Sequence, residues 1–305
     1  MRLKILFRVG LIATVAFVYL ALFSIPGETR DSRVCGKDVE LRLSSSESSQ
    51  GSLLLVEVHS TSPLAELKAQ WDGHTLLFWR ENSQENVQRA LLGVDLERPA
   101  GQYPLTVAAQ LENGERVTCS AVVSVKAGRF AIERLRVRRQ FVDLSPKNLE
   151  RTARERQRLG ELFARVTPER LWQGTFRIPV DGAQAAGNFG RRRVLNGRPG
   201  MPHNGEDFPA VAGAPVHAAQ RGRVVLADEL FFSGNTVVLD HGLGLYTFYG
   251  HLESIAVTVG EVVEVGTTLG RVGATGRATG AHLHWSVRAN EARINPLGIV
   301  RLPAD

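Results

Sequence analysis

Gly280-Ala281-His282-Leu283-His284-Trp285-Ser286-Val287-Arg288 is the stretch on which the reading of this chain turns. From His282 to Arg288 it reads as a β-strand, and side chains two apart on a strand leave by the same face. His282 and His284 therefore project toward one point. Working outward, Tyr249-Gly250-His251-Leu252 and His203-Asn204-Gly205-Glu206-Asp207 carry further histidines, and six of the eight in the chain fall between His203 and His284. Imidazole nitrogen with carboxylate oxygen suits a borderline divalent ion, and a hydrolytic zinc keeps three protein ligands with the fourth place for water. His203 and Asp207 are four apart, which would align them on a helix, but Asn204-Gly205 disfavours helix and a loop is expected to bring them together. Spacing alone also allows His282 and His284 to chelate one ion as a pair. H-x-H or H-x-x-x-D alone occurs by chance; the three pieces in this order are specific.

Around this cluster, from Gln173 onward, glycines are frequent and β-branched runs such as Val224-Val225-Leu226 and Thr236-Val237-Val238-Leu239 recur, with no long helix. An all-β domain over 173–305 is expected. Upstream, residues 34–126 read as short strands, Leu53 to His59, His74 to Arg80, Tyr103 to Leu111 and Arg116 to Val125. Asp72-Gly73 and Asn113-Gly114 mark hairpin turns. The expected architecture is an immunoglobulin-like β-sandwich serving as spacer or docking module. Between the two, 127–172 holds an extended segment and then Asn148 to Val166, where Leu149, Leu159, Leu162, Phe163 and Val166 fall at helical spacing amid charges. That predicts an amphipathic helix connector packed on a neighbouring domain. The chain as a whole is thus mostly β.

The N-terminus carries Arg2, Lys4 and Arg8 ahead of an uncharged run from Val9 to Ile25, so residues 1–28 read as a signal or membrane anchor. The positive-inside rule then places all that follows outside the cytoplasm, on the periplasmic side of the inner membrane, anchored or released by cleavage. In such an oxidising compartment Cys35 and Cys119, the two cysteines present, are disulfide candidates. Alternation around Val117 to Val125 turns Cys119 inward. A net charge of +6 suits nucleic acid, an anionic membrane surface or an anionic wall. No Walker loop, RNA-recognition signature or zinc finger accompanies it, and nucleic acid is not an expected partner.

The pieces Phe189-Gly190, His203 with Asp207 and Phe208, Gly213-Ala214-Pro215-Val216, Gly234-Asn235-Thr236-Val237, Asp240-His241-Gly242, Tyr249-Gly250-His251-Leu252, Gly273-Ala274-Thr275-Gly276 and Gly280 to His284 together resemble the catalytic domain of the LytM/lysostaphin family of zinc endopeptidases, over about residues 187–296. The resemblance implies one zinc per chain held by His203, Asp207 and His284, with His251 and His282 acting on water and substrate. It implies a peptide bond of peptidoglycan as substrate, attachment to the cytoplasmic membrane through the N-terminal segment, and leaves a protein regulator open as a further partner. His217 and His241 match no catalytic position of the family and are read as structural, and Glu206 as a solvated neighbour of Asp207. Two other classes compete. A catalytically silent wall-binding or amidase-regulating module would have lost ligands, and none is missing here. A lipoyl-type carrier barrel, suggested by Val259 to Gly266, would need a lysine at a hairpin tip between Val224 and Val287, where none stands.

Overall fold

The computed structural model of the protein describes residues 31–80 and 86–302. The expected membrane segment lies outside the described residues, and no described helix is long and apolar enough to cross a membrane. The first unit is two sheets packed face to face. One has the strand order Asp31–Cys35, Val39–Leu43, Leu53–Ser60, Val87–Gly93, and the other Glu47–Ser49, Arg116–Lys126, Gly101–Leu111, Leu64–Trp71, His74–Leu76. Period-two patterning drives this: in Leu53–Ser60 every second residue is buried, and Leu41, Val56 and Leu92 from one sheet meet Leu105, Val107 and Val123 from the other in one core. At the first hairpin both Asp72 and Gly73 take positive φ, whereas at the second only Gly114 does. There the amide of Glu115 donates to Asn113 Oδ1 instead.

The strand expected from His74 to Arg80 stops at Leu76. The chain then crosses to the other sheet, where Trp79 bridges Arg89 through two backbone hydrogen bonds of 2.8 and 2.9 Å and its ring packs edge-on against Trp172 of the second unit, centroids 5.5 Å apart. Cys35, ending one sheet's edge strand, and Cys119, half-buried within the other sheet, form a disulfide with Cα atoms 5.4 Å apart.

In the second unit a mainly antiparallel sheet runs Glu206–Pro209, His282–Ala289, Leu245–Ile255, Gly234–Gly242, Gly222–Leu230, Val262–Val263, with Thr268–Val272 branching from Leu245–Ile255 to reach Pro215–His217. Its two central strands are buried on both faces. Val237, Leu239, Leu245 and Tyr249 enter the main core. The opposite face, with Leu226, Val238, Tyr246 and Phe248, is covered by Leu159, Leu162 and Phe163 of the helix. That double covering explains the unbroken apolar run at Val237, Val238 and Leu239.

The covering helix spans Pro146–Phe163 rather than Asn148 to Val166. Ser145 Oγ accepts from the amide of Asn148 at 3.3 Å and Pro146 opens the first turn, so the helix begins earlier than its apolar stripe suggests. Pro168 disfavours helix just before it, and Leu149 and Val166 stay exposed. Polar contacts dock the helix: Arg158 pairs with Asp228 at 2.6 Å, and the Glu155 carboxylate accepts from the amide of Phe231 at 2.9 Å. Ahead of it, Ile132–Leu135 pairs in parallel with Arg192–Leu195. The stretch 127–172 is therefore built into the second unit.

The two units meet along an apolar seam pinned by polar contacts. Leu91 joins the second unit's core, Arg293 pairs with Asp95 at 2.6 Å and with Glu97 at 2.6 Å, and Asn290 Nδ2 donates to the carbonyl of Leu91 at 3.0 Å.

His241, read as structural, is fully buried; Nδ1 lies 2.7 Å from the Arg221 carbonyl and Nε2 2.7 Å from Thr247 Oγ1. Burial pushes its pKa down to about 4, the Arg221 bond opposing. The unfolded chain takes that proton near pH 6.5 and the fold refuses it until about pH 4, so stability is complete above 6.5 and falls as pH drops through that window, by about 3 kcal/mol. His241→Gln should flatten that part of the pH dependence in denaturant unfolding between pH 7 and 4; an unaltered slope would disprove the assignment. For the disulfide, whose ends are separated by 84 positions in sequence, Cys35→Ser with Cys119→Ser should cost the first unit about 4–5 kcal/mol in the chain-entropy account. Calorimetric melting would show it, and a melting temperature equal to wild type would refute it.

Candidate functional site

Strand register builds the site. His282–Ala289 lies between Glu206–Pro209 and Leu245–Ile255, with Asp207 directly opposite His284 on one side and Gly250 opposite it on the other. Directly opposed residues share a face, so the carboxylate and the imidazole meet. Asp207 therefore stands on a short strand, not in the loop expected to carry both residues; only His203 is in the loop. That loop passes so close over His284 that a Cβ on Gly205 would lie 2.6 Å from the Trp285 carbonyl and 2.7 Å from the His284 ring. Only glycine fits there.

His203, Asp207 and His284 converge and are all buried. His203 Nε2 lies 3.1 Å from Asp207 Oδ1 and 2.9 Å from His284 Nδ1, and that nitrogen is 2.9 Å from the same oxygen. The other nitrogen of His203 is 3.0 Å from the carbonyl of Asn188. A carbonyl only accepts, so Nδ1 carries the proton and Nε2 turns a lone pair on its two neighbours. Two imidazole nitrogens and a carboxylate oxygen thus converge in a buried place, a donor set suited to a cation. Burial works to raise the Asp207 carboxyl, but the imidazoles of His203 and His284 set against it outweigh burial and hold Asp207 far below the usual carboxylate range. Burial likewise presses His284 down to about 4, with the Asp207 bond opposing. The trio is a ready N, O, N donor set.

His251 and His282 flank the trio, their rings 4.9 Å apart. His251 Nδ1 lies 2.8 Å from the Thr275 carbonyl and His282 Nδ1 2.8 Å from that of Gly280, so Nδ1 is the donor nitrogen of each ring and Nε2 is left for other partners. His282 Nε2 is 3.7 Å from Asp207 Oδ1. Burial, and after it the neighbouring His284 and His282, press His251 down to about 3, so it is neutral at physiological pH. Its backbone sits at φ +62°, an uncommon conformation for a residue with a side chain, held by its amide donating to the Ser233 carbonyl at 2.7 Å.

Nothing in the sequence singles out Asn188, although it directly precedes Phe189-Gly190. Its Nδ2 donates to Asp207 Oδ2 at 2.8 Å, its Oδ1 accepts from the Asp207 amide at 3.0 Å, and its carbonyl orients His203. Glu206 is not a solvated neighbour. It is 1% exposed, and its carboxylate accepts from the amides of Asn188 at 3.0 Å and Phe189 at 3.3 Å. The site thus has a second carboxylate whose partners are backbone amides. His217 lies apart from the cluster, beside Asp181 and Thr268.

Clefts open on both sides of His251. One, of about 290 Å³, is walled by Glu133, Leu135 and Val137 together with Thr279 and His282. The other, of about 210 Å³, lies between Leu159, Phe163, Phe232 and Phe248 and reaches His284. A larger cleft of about 700 Å³ lies at the seam between the units, around Gln50, Phe130 and Arg301, and holds none of the clustered histidines.

Residues 201–296 match Peptidase family M23. The peptidoglycan DD-endopeptidase ShyB of Vibrio cholerae is 40% identical over 115 residues, 36% of this chain and 27% of that protein. The DD-carboxypeptidase/endopeptidase Mpg of Neisseria meningitidis is 37% identical over 97 residues, 32% of this chain and 22% of that protein. The chain's match thus spans less than a third of the length of these curated relatives. A crystal structure from Pseudomonas aeruginosa, described as a peptidase M23, superposes with a TM-score of 0.62 at 29% identity over 82% of this chain and 94% of that one. Residues 201–296, which contain the whole His203, Asp207 and His284 cluster, are a domain of peptidase family M23, the LytM/lysostaphin family.

Proposed function

We propose that the protein is a zinc-dependent endopeptidase that hydrolyses peptide bonds in peptidoglycan. The observation that carries the reading is the convergence of His203, Asp207 and His284 with two further histidines, each with Nε2 left for other partners, beside an open cleft. Zinc fits this donor set. Tetrahedral ligands about 2.0–2.1 Å from the ion sit roughly 3.3 Å from one another, close to the separations of 2.9–3.1 Å here. When bound, zinc would acidify a water and polarise the scissile carbonyl. His282 is placed to take the water proton on Nε2 and to return it to the leaving amine. His251, with Nδ1 committed to Thr275, begins as an acceptor and turns into a donor toward the oxyanion only on gaining a proton.

The names of the Vibrio and Neisseria relatives support a peptidoglycan substrate. The immunoglobulin-type reading of 34–126 is supported by the parallel pairing of Glu47–Ser49 with Arg116–Lys126, the first strand crossing to the second sheet. Export to the envelope, and anchoring in the cytoplasmic membrane or release by cleavage, complete the proposal on the basis of residues 1–28. Digestion of purified cell-wall sacculi with mass analysis of the fragments tests the activity, and intact sacculi after incubation with zinc-loaded protein would overturn it.

His282→Ala should retain zinc and slow turnover by on the order of 10²–10⁴, the loss of general-base help. His284→Ala should lose both zinc and activity; zinc lost in the first variant and kept in the second would reverse the two roles. Asn188→Ala, which frees the Asp207 carboxylate and the His203 ring to turn, should weaken zinc affinity by about 10–100-fold. Competition with a chelating dye measures it, and undiminished affinity would show that Asn188 does not orient the ligands.

A further inference from the structure

The cleft of about 210 Å³ that reaches His284 and His251 is lined by three arginines, Arg193, Arg277 and Arg288, and by no carboxylate. Their partners differ. Arg193 is neutralised by Glu133 at 3.1 Å and Asp207 at 3.4 Å. Arg288 donates to the carbonyl of Glu291 at 3.1 Å and stacks on Phe163. Arg277 has no acidic partner and no side-chain hydrogen bond among the described residues. Its guanidinium lies 4.5 Å over the Phe232 ring, and its amide is tied to the Phe232 carbonyl at 2.8 Å. Burial, with Arg193 adding repulsion, presses its pKa down to about 10, still charged at neutral pH. A half-buried cation left without a counter-charge is costly, and here phenylalanine and leucine walls deepen the cost by excluding water. Arg277 also borders the second cleft, so it stands on both sides of His251.

Resting on the peptidase reading above, we propose that Arg277, backed by Arg288, binds a free carboxylate of the substrate, carried on the residue adjoining the bond that is cut. Asn204 and Ser233 in the same cleft supply further hydrogen-bonding groups. The substrate class is then narrower than peptides of the wall: the residue beside the scissile amide is acidic, and its fork-like pairing with the guanidinium sets the peptide's register against His282.

The test uses two synthetic peptides with D-alanine as acyl donor, joined to a residue whose α-carboxyl is free in one and a carboxamide in the other. Zinc-loaded full-length protein should favour the free carboxylate by about 10–100-fold in kcat/KM, mostly through KM. Arg277→Gln should erase that preference while leaving zinc content unchanged, and Arg277→Lys should keep part of it. Calorimetric binding of the two amine-side fragments to the protein gives the same comparison without cleavage, so it still decides if neither peptide is cut and the peptidase reading itself fails. Equal binding of both fragments by the wild type, or a full preference remaining in a folded Arg277→Gln protein, would overturn the carboxylate site.

Discussion

The close convergence of three polar atoms in a buried place, His203 Nε2, Asp207 Oδ1 and His284 Nδ1, is the constraint around which the second unit is arranged. Such an arrangement opposes folding of the chain alone, so neighbouring groups must hold it. The register that sets Asp207 opposite His284 is held by a strand ladder, and Asn188 clamps the carboxylate and the His203 ring at once. Glu206, beside Asp207, points the other way and fixes the backbone amides of Asn188 and Phe189, which keeps the clamp in place. Gly205 lets the loop lie on His284 without a side chain between them. Each of these residues supports the geometry of the donors rather than the core.

The same unit shows why strands that look too apolar for a one-sided sheet are tolerated. The central pair is covered on one face by the main core and on the other by Leu159, Leu162 and Phe163. The helix that provides this cover, Pro146–Phe163, precedes the strands of that sheet in the chain. It also supplies a wall of the cleft beside His284, while the strand Ile132–Leu135 helps to wall the cleft on the other side of His251. Stability and access to the site are therefore governed by one segment.

What can be read from sequence alone is what local periodicity encodes. The His282 to Arg288 strand, the hairpin at Asp72-Gly73 and the amphipathic stripe at Leu159, Leu162 and Phe163 each depend on neighbours a few residues away. The strand carrying Asp207 reads as loop because its four residues acquire strand form only by pairing with His282–Ala289, far along the chain. The run from His74 to Arg80 reads as one strand because its break is set by distant partners: His74–Leu76 pairs in one sheet and Trp79 bridges Arg89 in the other. The histidines and Asp207 are legible because metal-binding residue types recur in an ordered pattern. Asn188 and Glu206 are not: an amide and a carboxylate that act through backbone groups look, in sequence, like any polar residue near a turn.

The cleft around His251 has two sides of opposite electrostatic character. On one stand the three donors His203, Asp207 and His284; on the other, Arg277 has no acidic partner among the described residues. His251 stands between them, and its depressed pKa follows chiefly from burial, so it adds no third charge at physiological pH. On the proposed reading, the three donors would hold a metal ion that polarises the scissile carbonyl, and Arg277 would pair with the carboxylate of an acidic peptide and hold the chain beyond that carbonyl in register. Because Phe163, Phe232 and Phe248 exclude water from this side, both attractions operate in a medium of lowered dielectric, where charge pairing is strongest. A neutral peptide would leave Arg277 desolvated and unpaired, so discrimination against it arises from the cost left in the protein as much as from the ion pair that the acidic peptide forms.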